Sequence, residues 1–280
     1  MRGLPKSLEI KIIQRRIKMD QKQEATPAAN TLQSNYEPVL LPSKGFLYPS
    51  NWTTKGKINV RPMTIKEEKI LNTVRLAKTG KALDMIFRAC IDNPNNFDVS
   101  DLLSGDRSFL LYHLRCISYG AAYEYKINCQ NCNAQFENVY NLNDIVVKYL
   151  PDNFKEPIEF TLPISKKKVS YRLMRGKDEI DLIEERERRI ANFGADQLDN
   201  TISTRLSMTI SAVDNIVDEV EIVKFVDSMI AGDASALRNS MIEKDCGIDT
   251  TTQHICPKCS SEFQADIPLT VDFFRYSSRS

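Results

Sequence analysis

The stretch "INCQNCNAQF", from Ile127 to Phe136, is answered by "HICPKCSSEF", from His254 to Phe263. Each sets two cysteines three positions apart, Cys129 with Cys132 and Cys256 with Cys259, and each has a phenylalanine four residues after its second cysteine. A Cys-x-x-Cys turn at a hairpin tip lets two thiolates converge on one ion, and one such pair supplies half of a four-ligand shell. Two pairs in matched contexts read as the halves of a single structural zinc site, Cys129, Cys132, Cys256 and Cys259. Polar and apolar residues alternate in "AYEYKIN" before the first pair and "AQFENVYNL" after it, the periodicity of two strands turning at the cysteines. A redox motif would place its pair at a helix N-terminus, where the thiol pKa falls, and neither pair opens a helical pattern. Residues 133–255 separate the pairs, far more than in an ordinary zinc ribbon. Loop closure costs grow slowly with length, so an ion can still staple the later hairpin onto the earlier half. His254 is the alternative ligand, but it lies two residues before Cys256 and is expected on the hairpin's other side.

The cysteine total supports metal over disulfides. Seven cysteines in a chain without a signal-peptide pattern suit a reducing compartment, and Cys90, Cys116 and Cys246 lie singly in apolar contexts where a thiol is a small buried hydrophobe. The basic leader before Met19, itself a possible alternative start, alternates Leu8, Ile10, Ile12 and Ile13 with Lys and Arg, unlike a signal peptide's unbroken apolar run. No run approaches the ~20 apolar residues of a bilayer span, and a cytoplasmic protein is expected. Lys and Arg total 38 against 37 Asp and Glu, which leaves no global field to draw in nucleic acid.

The rest of the chain divides by pattern. Residues 1–35 are polar, lack any period and read as a flexible or partner-ordered arm. "EPVLLPSKGFLYPSNW" packs three prolines and a glycine among apolar residues, an irregular but buried path, and "KINVRPM" follows as a short strand. Thr64 and Glu67 form a capping box for a helix with Ile65, Ile70, Leu71, Val74 and Leu76 on its apolar side and Gly80 as its stop. Helices are predicted over 82–91 and 106–118, a second hairpin over 158–174 with Lys166, Lys167 and Lys168 at a solvated turn, and helices over 200–213, 221–230 and 234–245, the last capped by Gly247. In "EERERR" the pairs Glu184 with Arg188 and Glu185 with Arg189 have the favourable i, i+4 order. The predicted fold is α+β, with two zinc-knuckle hairpins forming a zinc-ribbon-like unit, N-terminal helices and a mainly helical insertion. Its division is an arm over 1–35, a core over 36–145 plus 248–276, a β-hairpin over 146–176 and a helical insertion over 177–247.

No catalytic residue is expected. Four thiolates leave an ion no open position for water, the chain has no phosphate-binding glycine loop, no His-Glu-x-x-His and no Gly-x-Ser-x-Gly, and His113 and His254 are its only histidines.

Three further stretches, "LPSKGFLYP" at 41–49, "MTIKEEKIL" at 63–71 and "CPKCSSEFQADIPLTVDFFR" at 256–275, together resemble the T4-like myophage baseplate family, whose members belong to the central hub or assist its assembly. The resemblance covers about 36–276. It implies a non-enzymatic virion protein that works by contacts with hub, wedge or tail-tube subunits in a symmetric hetero-oligomer, located in the tail baseplate and, during assembly, in the host cytoplasm. Phe46, Tyr48, Trp52, Phe273 and Phe274 are the candidate partner-binding anchors. A transient hub assembly factor absent from the mature virion is the alternative within the family, and a zinc-ribbon nucleic-acid-binding protein the alternative outside it.

Overall fold

The computed structural model describes residues 36–71, 73, 80–194, 200–268 and 273–274. The expected arm over 1–35, with Met19, and the expected apolar positions Val74 and Leu76 lie outside the described residues. Among those described, seven α-helices and eleven short strands make a mixed α+β fold whose strands form small antiparallel sheets.

The first core gathers around β1 (Glu37–Leu40) paired with β2 (Lys57–Val60), and the helices α1 (Ile65–Leu71), α2 (Lys81–Cys90) and α3 (Ser104–Tyr119). Ile86, Phe87 and Cys90 of α2 recur at helical spacing, and they meet Leu110 and Leu114 of α3 with Ile58 and Val60 of β2. α1 begins where the capping box puts it: the Glu67 carboxylate accepts the Thr64 amide at 2.7 Å and the Thr64 hydroxyl accepts the Lys66 amide at 3.3 Å. One expectation here needs correction: Ile65 is 70% exposed, outside the apolar side assigned to it. Gly80, at φ 70°, leads into α2, and residues 74–79, through which the expected helix would reach its stop there, lie outside the described residues.

The first cysteine hairpin, β3 (Ala122–Asn128) with β4 (Gln135–Asn141), follows directly from α3, and β10 (Thr251–Ile255) with β11 (Glu262–Asp266) is the second. β5 (Val146–Lys148) pairs with β9 (Gly247–Asp249), so that Lys148 faces Gly247 across the ladder. Gly247 therefore opens a strand and does not cap a helix. It and Gly105 of α3 make a close backbone crossing: a Cβ on Gly105 would fall 1.9 Å from the Cys246 carbonyl oxygen, and one on Gly247 2.9 Å from the Gly105 Cα.

The hairpin predicted over 158–174 is present as β6 (Ile158–Thr161) and β7 (Lys168–Tyr171), joined by a third strand, β8 (Ile210–Val213). That strand corrects the helix expected over 200–213. Helix α5 (Thr201–Thr209) stops at Thr209, and β-branched Ile210 and Val213 continue as a strand because their side chains fill the second core with Val169, Tyr171, Leu206 and Leu237. Helix α4 (Gly176–Phe193) precedes α5, and α6 (Glu219–Asp227) and α7 (Ala231–Lys244) close this region. On α4, Glu185 holds both Arg188 and Arg189, at 2.8 and 3.0 Å, while Glu184 turns to Lys81 of α2 at 2.7 Å instead of pairing along its own helix.

Candidate metal centre

The two cysteine turns are built alike, atom for atom along the backbone. In the first, the Cys129 amide donates to the Ala134 carbonyl and the Asn133 amide to the Cys129 carbonyl, both at 2.9 Å. In the second, the Cys256 amide donates to Ser261 at 3.0 Å and the Ser260 amide to Cys256 at 2.9 Å. The residue after each second cysteine takes the left-handed conformation that folds the turn back, Asn133 at φ 55° and Ser260 at φ 54°. The repeat seen in the sequence is thus a repeat of conformation.

The turns face one another. Cys129 Sγ lies 3.7 Å from Cys259 Sγ, Cys132 Sγ lies 3.7 Å from Cys256 Sγ, and all four sulfurs fall within 4.8 Å of each other. A disulfide would bring sulfurs to ~2.05 Å, and all seven cysteines are free. A tetrahedral ion with metal–sulfur bonds of ~2.3 Å has edges of about 3.8 Å, so the two short separations already match that polyhedron. Backbone amides also point at sulfur: Asn131 and Cys132 donate to Cys129 Sγ at 3.4 and 3.5 Å. The Cys132 amide leads the groups that lower the Cys129 pKa, and the Ser261 amide leads those that hold the Cys259 thiol down to about 6. In Cys132 the lowering by its backbone hydrogen bond is outweighed by burial and by the three neighbouring sulfurs, which push that thiol up to about 11. Amides of this kind favour thiolate, the form that ligates metal. The four cysteines can hold a metal ion.

Cross-hairpin contacts support the sulfurs. Phe136 and Phe263, the residues that made the motifs match, meet edge-on with centroids 6.3 Å apart. Gln130 Nε2 donates to the Gln264 carbonyl at 2.9 Å, and Asn131 Nδ2 reaches Cys259 Sγ at 3.7 Å. His254 is only 2% exposed; its Nδ1 lies 3.0 Å from Asn138 Nδ2 and its Nε2 3.0 Å from Thr252 Oγ1. Its ring therefore bonds one hairpin to the other and leaves the ligand set to the cysteines. Asn138 and Gln130 carry no signal in the sequence, since a polar residue on a strand or in a turn is ordinarily solvated.

Cys90 and Cys246 are buried apart from this cluster and Cys116 is half-buried. Burial pushes the Cys90 thiol up to about 12 and raises those of Cys116 and Cys246, which keeps all three protonated.

The "LPSKGFLYP" segment wraps a second node, around a buried acid. Asp106 of α3 accepts the Ser43 amide at 2.9 Å and the Tyr48 hydroxyl at 2.6 Å, and that hydroxyl accepts the Leu103 amide at 2.8 Å. Burial, partly offset by these hydrogen bonds, raises the Asp106 pKa to about 6. Leu41 is fully buried, Lys44 and Gly45 carry φ of 53° and 71°, and a Cβ on Gly56 would strike the Lys44 carbonyl at 2.4 Å. Leu41, Ser43, Gly45 and Tyr48 of the segment thus each have a steric or hydrogen-bonding reason. Of the five aromatic candidates, Phe46 is 43% exposed. Tyr48 and Trp52 are buried with Phe97, whose ring stacks on Trp52 at 4.1 Å. Phe273 is buried against Tyr112 and Tyr123, and Phe274 is half-buried beside it.

A family model described as T4 bacteriophage base plate protein matches residues 46–275, a span holding Tyr48, Asp106, all four paired cysteines and Phe273. The chain belongs to the T4 bacteriophage base plate protein family. The expected resemblance is borne out, and membership in the T4 base plate family implies a place in the virion tail. No curated protein and no solved structure matches this base plate protein.

Proposed function

We propose that this chain is a structural protein of the baseplate hub region, held in shape by one zinc ion on Cys129, Cys132, Cys256 and Cys259, and that it acts by binding other baseplate subunits without catalysis. The observation that carries the metal is the pair of 3.7 Å sulfur separations between two turns of identical backbone geometry. Thiolates select zinc among common divalent ions, and a closed shell of four suits a structural role. In this proposal the two hairpins act as a zinc-ribbon-like unit within the core of 36–145 plus 248–276, with 146–176 and 177–247 as the excursion between its halves. Phe46, exposed on a loop otherwise locked to Asp106, is the best placed of the five aromatics to anchor a neighbour, and Phe274 is next. Near-neutral charge speaks against a nucleic-acid partner.

Elemental analysis of the purified protein should find one zinc per chain, and mass spectrometry of purified virions should find the chain itself. If zinc were absent and the fold and partner binding survived changing all four cysteines to serine, the metal would be lost from the proposal. If the chain were missing from mature virions, it would be a transient assembly factor made in the host cytoplasm.

A further inference from the structure

Helix α6 has more apolar surface than its own fold uses. Ile222 and Val226 are buried and Phe225 half-buried in the second core. Val220 is 61% and Val223 44% exposed on another side of the same helix, and Ile216 and Val217, just before it, are 44% and 71% exposed. At 100° per residue the apolar arc of α6 runs through roughly 220°, about twice the width one packed face needs. Val217 occupies the position that would pack back onto Ile222 in a hydrophobic staple, yet it points into solvent.

The surroundings of this stripe are acidic. From Asp214 to Asp227 there are five carboxylates, Asp214, Asp218, Glu219, Glu221 and Asp227, against Lys224 alone. Lys167, of the turn between β6 and β7, lies 4.9 Å from the Phe225 ring, about 140 to 160° around the helix from Val220 and Val223. Lys224 is already paired with Glu221 at 2.7 Å. Asp218 caps the helix by accepting the Glu221 amide, and Asp214 accepts the Lys168 amide, which leaves Glu219 and Asp227 as unengaged charges beside Val220 and Val223. A second copy of α6 laid on the stripe would set carboxylates against carboxylates, which the charge pattern disfavours.

We propose that the stripe Ile216, Val217, Val220 and Val223 is a docking face for a basic amphipathic helix of another protein, whose aliphatic side chains cover the valines while its Lys or Arg residues meet Glu219 and Asp227. This surface is separate from the cysteine cluster and does not depend on the zinc reading.

The test uses the full chain and two fluorescein-labelled 18-residue model helices, one of Leu and Lys in an amphipathic repeat and one of Leu and Glu in the same repeat. Fluorescence anisotropy should show binding of the basic helix that weakens as salt rises, and none of the acidic one. The double variant Val220→Ser with Val223→Ser, with circular dichroism and Tm unchanged, should weaken binding at least tenfold, and Glu219→Lys with Asp227→Lys should do so while flattening the salt dependence. Equal binding of both helices, binding of neither, or full binding by the serine variant overturns the proposal. So does concentration-dependent dimerisation in sedimentation that the serine variant abolishes, since the occupant is then a second copy.

Discussion

The two cysteine turns share one backbone and have very different foundations. The first follows from β3, whose Tyr123 and Tyr125 are buried among Leu111, Tyr112, Leu142 and Phe273, and it is tied to α3 through Arg115, which donates to the carbonyls of Gly120 and Ala122. The second rises from β10, a shorter strand whose only buried side chain is His254, and β11 has none. Within 251–266 its contacts with the first hairpin run through His254, the Phe263 ring, the Gln264 carbonyl and the sulfurs. Its base is held by the β5–β9 ladder on one side and by buried Ile267 on the other. One local structure can thus stand mainly on a hydrophobic core or lean on contacts with its twin, and a bound metal would matter more to the second.

Removing the ion should give the largest effect. Structural zinc contributes ~10 to 16 kcal/mol in small peptides, so a strong chelator should lower Tm by about 10 °C or more, and limited proteolysis should cut within 251–266 before it cuts within 122–141. Simultaneous cutting of both hairpins, or no change, would break the asymmetry.

The next effect bears on the ground under the first hairpin. Asp106, on the helix that leads into β3, has its folded pKa raised to about 6 from an ordinary 3.8. A carboxyl whose pKa is raised by folding stabilises the native state below the unfolded pKa, and that contribution disappears as pH rises through the folded value. Wild type should therefore gain about 2 kcal/mol from this group between pH 7 and pH 4, a gain that Asp106→Asn lacks. Asp245, also pushed up to about 6 by burial, contributes with the same sign in both proteins, and Glu67, held down to about 2, with the opposite sign in both, so the difference between the two proteins isolates Asp106. Denaturant melts of both proteins across that range give the difference directly. His254→Ala removes a buried bridge between the hairpins and should cost about 1 to 3 kcal/mol, with earlier proteolysis of the second hairpin alone. Smallest of all, Ser260→Gly should stabilise by up to about 1 kcal/mol, because serine is strained in the left-handed region, whereas Asn133→Gly should be near neutral, because asparagine tolerates it. Paired thermal melts would show whether the two turns differ in this way.

The cysteine cluster was legible because its signal is local twice over: spacing fixes each turn, and the phenylalanine after each fixes the hairpin. Helices α2 and α3 were equally open, since Ile86, Phe87, Cys90 and Leu110, Leu114 repeat at one period. The end of α5 was hidden, because Ile210 and Val213 are apolar in either conformation and only pairing with β7, across an intervening helix, selects the strand. The ladder of β5 with β9 was hidden for the same reason, as was the role of Asp106, which in sequence is one more acid in the first turn of a helix. Polar residues reveal burial only through partners distant in the chain, and Ser43 and Tyr48 lie 63 and 58 positions from Asp106.

The crossing of sulfurs between hairpins also sets an order in time. Both 3.7 Å sulfur–sulfur contacts join residues at least 124 positions apart. On a ribosome adding ~5 to 20 residues per second, Cys129 and Cys132 emerge and wait roughly 6 to 25 s before Cys256 and Cys259 are made. During that interval the nascent chain carries half of a donor set with nothing to complete it, and the cluster can close only once the second pair has been made.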